Sequence, residues 1–223
     1  SKMPSSWQVS YHDLTFNLKL MGFKHTGLFP EQAYNWNMII HKIKEAKRDV
    51  KVLNLFAYTG AASMASLSAG ASVVHVDSSR GMVDWAKENA ASCGLSDKPI
   101  RYIVDDCKKF VDREIRRGNK YDIILMDPPS FGRGSNGQVW DIEKDLYPLV
   151  EACSKILSDD PILFLINSYT TGLSMNVLED VLKLCIKNKG YITSDELGLP
   201  VKNSNLVLPC GIFARWEKEK YEE

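Results

Sequence analysis

Apolar and polar residues alternate near the start of the chain, from Leu14 to Leu20, which predicts a strand with one buried face. Pro30 suits the first turn of a helix, because the backbone N–H that proline lacks would have no partner within the helix at that position. We expect this helix over residues 31–48, where a basic last turn would face the negative end of the helix dipole. Residues 1–49 are therefore interpreted as a short strand-and-helix extension.

From residue 50 onward, short apolar segments alternate with helical ones, and after Gly190 the helical segments stop. Short strands that are apolar on both faces are typical of a parallel sheet covered by helices. The pattern predicts an α/β, Rossmann-like, doubly wound domain over residues 50–223, with a mostly parallel seven-stranded sheet, helices on both faces and a hairpin-like closing edge. Strands are expected at 52–56, 72–76, 100–104, 123–126, 162–166, 191–198 and 206–216, and helices at 61–69, 79–93, 107–117, 141–157 and 175–187.

The composition is that of an ordinary globular domain, with 44% apolar and 25% charged residues among 223. The net charge is zero, whereas a free-standing nucleic-acid binder is usually basic, so charge counts against such a partner. No apolar run approaches the roughly 20 residues that span a bilayer, and no signal peptide opens the chain. Five widely spaced cysteines and four scattered histidines indicate neither disulfides nor a metal site. We expect a cytoplasmic protein without membrane or metal.

A loop with one glycine, Asn54 to Gly60, follows the first strand of the predicted sheet. Ligands of open α/β sheets bind outside the carboxyl ends of the strands. Gly60 permits a tight turn, and backbone N–H groups at the start of the next helix can hold an anion. The dinucleotide fingerprint needs three glycines, so this loop favours a smaller ligand with a carboxylate. The alternative is an ordinary strand-to-helix turn.

Acidic residues end the next three strands of the predicted sheet. Asp77 follows the glycine loop at the spacing along the chain at which a carboxylate can bind a ribose diol. Asp105 and Asp106 follow the third strand and can reach an adenine edge, and Asp127 follows the fourth. Each acid could instead cap the helix after it. Together with the glycine loop, they indicate a site for a nucleoside-like ligand.

Four motifs in this order resemble a known family, the class I S-adenosylmethionine-dependent methyltransferases related to bacterial large-subunit rRNA methyltransferases. The motifs are Asn-Leu-Phe-Ala-Tyr-Thr-Gly at 54–60, His-Val-Asp-Ser-Ser at 75–79, Asp-Asp-Cys at 105–107 and Asp-Pro-Pro-Ser-Phe at 127–131. The resemblance covers residues 25 to 215. Relatives carry an amino-terminal RNA-binding module, which is absent from these residues.

The resemblance implies S-adenosylmethionine as cofactor and RNA, specifically rRNA, as substrate. The resemblance implies that residues 54–60 hold the methionine end of the cofactor, that Asp77 holds its ribose and that Asp106 holds its adenine. It also implies that the 26–32 segment folds over the cofactor. The extension 1–49 would then pack on the cofactor site. The implied cofactor contacts are Phe29, Gln32, Asn54, Leu55, Phe56, Ala57, Tyr58, Thr59, Gly60, Asp77, Ser78, Asp105, Asp106, Asp127 and Pro128.

Methyl transfer from a sulfonium is an in-line displacement in which orientation carries most of the effect. We predict that Asp127 is the catalytic residue and orients the methyl acceptor, since Pro128 and Pro129 hold its loop rigid. Pro129 and Phe131 would contact the substrate, with Phe131 stacking on a base or, alternatively, packing in the core. Arg133 lies in a glycine-rich loop, 131–137, and could contact phosphate. That loop is a substrate-contacting lid or a mobile surface connection.

Two substrate classes remain open: RNA, which the resemblance favours, and a protein side chain or small molecule, which the neutral charge favours. A dinucleotide-dependent oxidoreductase is disfavoured by the single glycine, and a non-catalytic cofactor-binding module would leave Asp127 and its prolines without a purpose.

The cysteines bear on the acceptor atom. Relatives that make 5-methylcytosine use a cysteine just past the fifth strand, because C5 of cytosine needs an activating thiolate on C6. Here residues 166–171 contain no cysteine, and Cys210, expected to be buried and inert, cannot be placed against the site. We therefore predict direct transfer to a nitrogen, or less favourably an oxygen, with a base nitrogen of RNA as acceptor.

Overall fold

The structure, a computed structural model, describes residues 4–22, 25–134 and 137–222. Within these residues, seven strands form one central sheet, and two short hairpins lie outside it. In chain order the strands are β1 (Ser6–Tyr11), β2 (Leu14–Lys19), β3 (Lys51–Leu55), β4 (Ser72–Asp77), β5 (Ile100–Val104), β6 (Ile123–Met126), β7 (Phe131–Arg133), β8 (Val139–Asp141), β9 (Leu163–Ser168), β10 (Tyr191–Pro200) and β11 (Val207–Glu217).

The central sheet has the order β10-β11-β9-β6-β3-β4-β5. The strands from β9 to β5 in this order are parallel, whereas β11 pairs antiparallel with both β9 and β10. Every residue of β6 and β9 is buried, which explains why these strands are continuous apolar runs in the sequence. The predicted doubly wound α/β fold and its closing hairpin are confirmed.

Helices cover both faces of this sheet: α1 (Ala33–Ala46), α2 (Ala61–Ser68), α3 (Arg80–Ser92), α4 (Cys107–Arg117), α5 (Ile142–Ser154) and α6 (Met175–Cys185). Buried side chains of α1, α2 and α3 join one core cluster, and those of α4, α5 and α6 join another. The first helix begins later than predicted, because residues 30–32 form a 3₁₀ turn, and it ends where Lys47 adopts a left-handed φ of 51°. That turn brings residues 30–32 towards the carboxyl ends of the strands.

The amino-terminal hairpin of β1 and β2 lies against α3. The Asn17 backbone N–H donates to Asn89 Oδ1 at 2.8 Å, and Trp85 Nε1 donates to the Asn17 carbonyl at 2.9 Å. Gly27, with φ of 98°, touches the same tryptophan so closely that an added Cβ would lie 2.3 Å from Trp85 Cζ2. Only glycine fits this approach. The sequence pattern predicts β2 but misses β1, whose side chains are only half-buried or exposed.

The predicted glycine-rich loop at 131–137 is part of a second hairpin, formed by β7 and β8. The Gly134 N–H donates to the Gln138 carbonyl at 2.8 Å and closes its turn. Ser135 and Asn136, which belong to the predicted loop, lie outside the described residues. A paired ribbon rather than an irregular connection therefore carries Phe131 and Arg133.

Candidate active site

The loop between β3 and α2 has an unusual backbone. Phe56 and Tyr58 have positive φ angles of 53° and 50°, and Gly60 begins the helix with φ of 86°. Non-glycine residues rarely adopt this region, and they cluster where function requires a particular loop shape. At Gly60 an added Cβ would lie 3.0 Å from Ala86 Cβ, so the glycine also allows α3 to approach.

Asp77, at the end of β4, is fixed by this loop. Its Oδ2 accepts the Tyr58 backbone N–H at 2.9 Å, and its Oδ1 accepts that of Ser79 at 2.8 Å. Burial raises the pKa of Asp77, and the two backbone donors partly oppose that rise. Each carboxylate oxygen keeps a further lone pair for a ligand hydroxyl.

A cluster of three buried polar side chains lies next to this loop. Asn54 Nδ2 donates to Ser63 Oγ at 3.0 Å, and Ser63 Oγ lies 3.0 Å from Nδ1 of His75. Burial lowers the pKa of His75 to about 4, so its ring is neutral at physiological pH. The end of β3, α2 and β4 are thereby joined by uncharged hydrogen bonds.

Two cavities adjoin at the carboxyl ends of β3, β4, β6 and β9. One lies inside the glycine loop, and the other, of about 430 Å³, opens over Asp77 and Pro129. Phe29, Phe56, Tyr58 and Asp127 line both. The predicted cofactor contacts that line at least one cavity are Phe29, Gln32, Asn54, Phe56, Ala57, Tyr58, Thr59, Gly60, Asp77, Ser78, Asp127 and Pro128.

Three predicted cofactor contacts lie elsewhere. Leu55 is fully buried in the core. Asp105 pairs with Arg113, and Asp106 Oδ1 accepts the Lys109 backbone N–H at 2.9 Å as the N-cap of α4. The Asp105 N–H nevertheless donates to the Asp77 carbonyl at 3.1 Å, so this turn adjoins the cavity edge. Contact of these two acids with an adenine stays a prediction.

The polar lining around Asp127 includes residues for which the sequence indicates no role. Gln32 Nε2 donates to the Tyr169 hydroxyl at 2.8 Å. Asn35 Nδ2 donates to Gln32 Oε1 at 2.9 Å and to Asn167 Oδ1 at 3.0 Å. The sequence feature that could have identified Tyr169 and Asn167 is their position at the end of the fifth parallel strand, on the same edge of the sheet as Asp127.

Asp127 itself has an environment unlike that of a surface carboxylate. Burial and the nearby Glu31 raise its pKa to about 7. Glu31 is 7% exposed and lies on the 3₁₀ turn before α1. Perturbed acids of this kind, in a cavity, are typical of functional sites.

The predicted substrate contacts lie at the outer rim. Pro129 lines the larger cavity, and its carbonyl accepts Trp140 Nε1 at 2.6 Å. Phe131 is 55% exposed, which rules out the core-packing alternative. The Arg133 guanidinium lies 5.9 Å from the centre of the Phe131 ring. An exposed aromatic ring and a cation are thus available together on β7.

The cysteines are free thiols. Cys210 is half-buried on β11 rather than buried as predicted, because it sits at an irregularity in the pairing of β10 and β11. Burial and the charge of Glu31 raise the pKa of Cys210, which disfavours the reactive thiolate.

No three histidine, cysteine or acidic side chains in the described ranges are arranged to hold a metal ion. The helices of those ranges are all too short or too polar to cross a membrane.

Sequence comparison identifies relatives of this chain. The sequence model described as S-adenosylmethionine-dependent methyltransferase matches residues 2–181. The ribosomal RNA large subunit methyltransferase K/L of Pseudoalteromonas atlantica is 38% identical over 152 residues, which are 67% of this chain and 20% of the relative. The enzyme of the same name from Shewanella woodyi is 34% identical over 176 residues, 78% of this chain and 24% of the relative. The chain thus spans about a fifth to a quarter of these curated relatives.

Structural comparison agrees with the sequence comparison. The crystal structure of a SAM-dependent methyltransferase from Agrobacterium tumefaciens superimposes with a TM-score of 0.93 at 38% identity. The match covers 98% of this chain and 72% of that one.

Proposed function

This chain belongs to the S-adenosylmethionine-dependent methyltransferase family, and from that premise we propose that it transfers the methyl group to a base nitrogen of RNA, with rRNA as the substrate. One feature carries the proposal: Asp127 lies where the cofactor-side cavity and the outer cavity adjoin, and lines both. A group in that position can hold an acceptor against a methyl group presented from the inner side.

The residues present fit the cofactor. Asp77 offers a fixed carboxylate with free lone pairs, as a ribose diol requires. The loop at 54–60 would hold the amino-acid end, where backbone groups meet the amino end of α2. Phe29, on the segment ahead of α1, lies 5.5 Å from the Tyr58 ring and would cover the site. When bound, S-adenosylmethionine supplies a methyl group activated by a positively charged sulfur.

Asp127 would then orient the acceptor through its carboxyl group. The next two residues are prolines, which fix φ and limit the conformations of the turn. Proximity and orientation of this kind can supply a large part of the rate enhancement of a displacement.

RNA as the substrate is supported by the outer rim and by the relatives, which are ribosomal RNA large subunit methyltransferases. Phe131 presents an exposed ring on which an unpaired base could stack, and Arg133 beside it could contact a phosphate. An rRNA substrate would place the reaction in the cytoplasm.

The test is a methyl-transfer assay with tritiated cofactor, in which total RNA and total protein are offered in parallel. We expect label in RNA, and nuclease digestion with nucleoside analysis then identifies the methylated atom. Label confined to protein or to small molecules contradicts the RNA assignment and supports the alternative substrate class.

A further inference from the structure

Asn35 of α1 carries a hydrogen-bond acceptor that no protein group uses. The residue is 1% exposed and lines the inner cavity, which is the one inside the glycine loop. Its Nδ2 donates to Gln32 Oε1 at 2.9 Å and to Asn167 Oδ1 at 3.0 Å, so both amide hydrogens have acceptors. Its Oδ1 has no hydrogen-bond partner among the described residues.

The surrounding network fixes this orientation of the Asn35 amide. Gln32 Nε2 donates to the Tyr169 hydroxyl at 2.8 Å, which leaves Gln32 Oε1 to accept from Asn35. Exchanging the oxygen and nitrogen of Asn35 would place its oxygen against the two amide oxygens that now accept from it. Buried acceptors without a partner are rare in native proteins, because burial removes the water that would donate to them. A donor supplied by a ligand would offset this cost.

The rest of the inner cavity indicates which kind of ligand fits. Ala61 and Ala62, in the first turn of α2, also line it. The N–H groups of a first turn have no partner within the helix and form its positive end, which suits an anion. Lysine, arginine and histidine are absent from the described lining. The cavity thus combines donors at the start of α2 with a free acceptor at Asn35, as a zwitterionic amino-acid group requires.

We propose that Asn35 Oδ1 binds the α-ammonium group at the methionine end of S-adenosylmethionine. The inference rests on the cofactor of the proposed function and is independent of the substrate class. An ammonium group has three donors and no acceptor, so it matches an oxygen without a partner, which a carboxylate does not. Gln32 and Asn167 act as positioning residues for this contact, because they hold the Asn35 amide by its nitrogen.

The experiment measures by calorimetry the binding of S-adenosylhomocysteine and of its analogue that lacks the amino group. The parent protein should prefer S-adenosylhomocysteine by about tenfold or more, since the hydrogen bond involves a charged donor. In Asn35→Leu, which has a similar size and no acceptor, this ratio should fall towards one. Asn37→Leu, at an exposed position of the same helix, should keep the parent ratio. Asn35→Asp, which retains an oxygen, should also keep the preference.

A purely structural role of Asn35 would weaken both ligands equally, so an unchanged ratio in folded Asn35→Leu overturns the inference. Loss of the preference in folded Asn35→Asp also contradicts it. If Asn35→Leu does not fold, Asn35→Ala replaces it with the same expected fall in the ratio. A parent protein that binds neither ligand refutes the cofactor placement together with this inference, whereas methyl label found only in protein refutes the RNA assignment alone.

Discussion

The backbone N–H of Tyr58 donates a 2.9 Å hydrogen bond to the carboxylate of Asp77. The bond connects the loop after β3 to the end of β4, and Tyr58 makes it from a positive φ of 50°. The strained loop and the acid therefore form one unit, in which each fixes the position of the other. A ligand that uses both meets a preorganised surface, which lowers the entropy lost on binding.

Asp77→Ala should weaken the binding of S-adenosylmethionine by about 1–3 kcal/mol, because a buried hydrogen-bond partner is removed. Titration calorimetry measures this for the cofactor and for its demethylated product. Asp84→Ala, at an exposed acid on α3 that pairs with Lys87, is the matched control and should bind normally. The protein should not bind NAD, and tighter binding of NAD than of S-adenosylmethionine would show that the site has been misassigned.

Asp127→Ala should remove most of the methyltransferase activity and leave the affinity for S-adenosylmethionine nearly intact. The reason is that this carboxyl group is assigned to the acceptor rather than to the cofactor's main contacts. Single-turnover transfer of tritiated methyl and calorimetry separate the two effects. Asp180→Ala, at an exposed position of α6, serves as control. Unchanged turnover in Asp127→Ala contradicts the assignment.

RNA containing 5-fluorocytosine should form no covalent adduct with this protein. An adduct requires a thiolate, and the raised pKa of the Cys210 thiol keeps it protonated. Denaturing electrophoresis with and without cofactor detects such a species, and Cys210→Ala should retain activity. A cofactor-dependent adduct that disappears in Cys210→Ala would instead identify Cys210 as the nucleophile.

Stability should fall on mild acidification because of His75. The folded protein holds this ring neutral down to a pKa of about 4, whereas the unfolded chain accepts the proton near 6.5. Below pH 6.5 protons therefore favour the unfolded state, and the free energy of unfolding declines between pH 6.5 and 4, by roughly 3 kcal/mol at full extent. Urea denaturation at several pH values measures this slope. His75→Gln should flatten it relative to His41→Gln, an exposed control; equal slopes in the two variants would exclude His75 as the source.

Sequence patterns were sufficient to predict the architecture and the edge of the sheet on which the candidate site lies. Both follow from local information. Continuous apolar strands and amphipathic helices specify which residues must be buried, and parallel strands bring their carboxyl ends to one edge. Gly60, Asp77 and Asp127 were therefore predictable as neighbours, since Gly60 ends the loop after β3, Asp77 is the last residue of β4 and Asp127 directly follows β6.

Which side chains meet at that edge depends on long-range packing. Gln32 and Tyr169 are 137 positions apart in the chain, and their hydrogen bond depends on how α1 packs and where its preceding turn lies. Tertiary structure likewise left Cys210 half-buried at an irregularity of the β10–β11 pairing and Phe131 exposed on a hairpin. Such contacts depend on the packing of whole elements, in which one residue's environment is made by segments far away in the chain. Local residue preferences contain no information about those partners, so the hydrogen bonds by which Asn35 connects Gln32 to Asn167 emerged only from the folded arrangement.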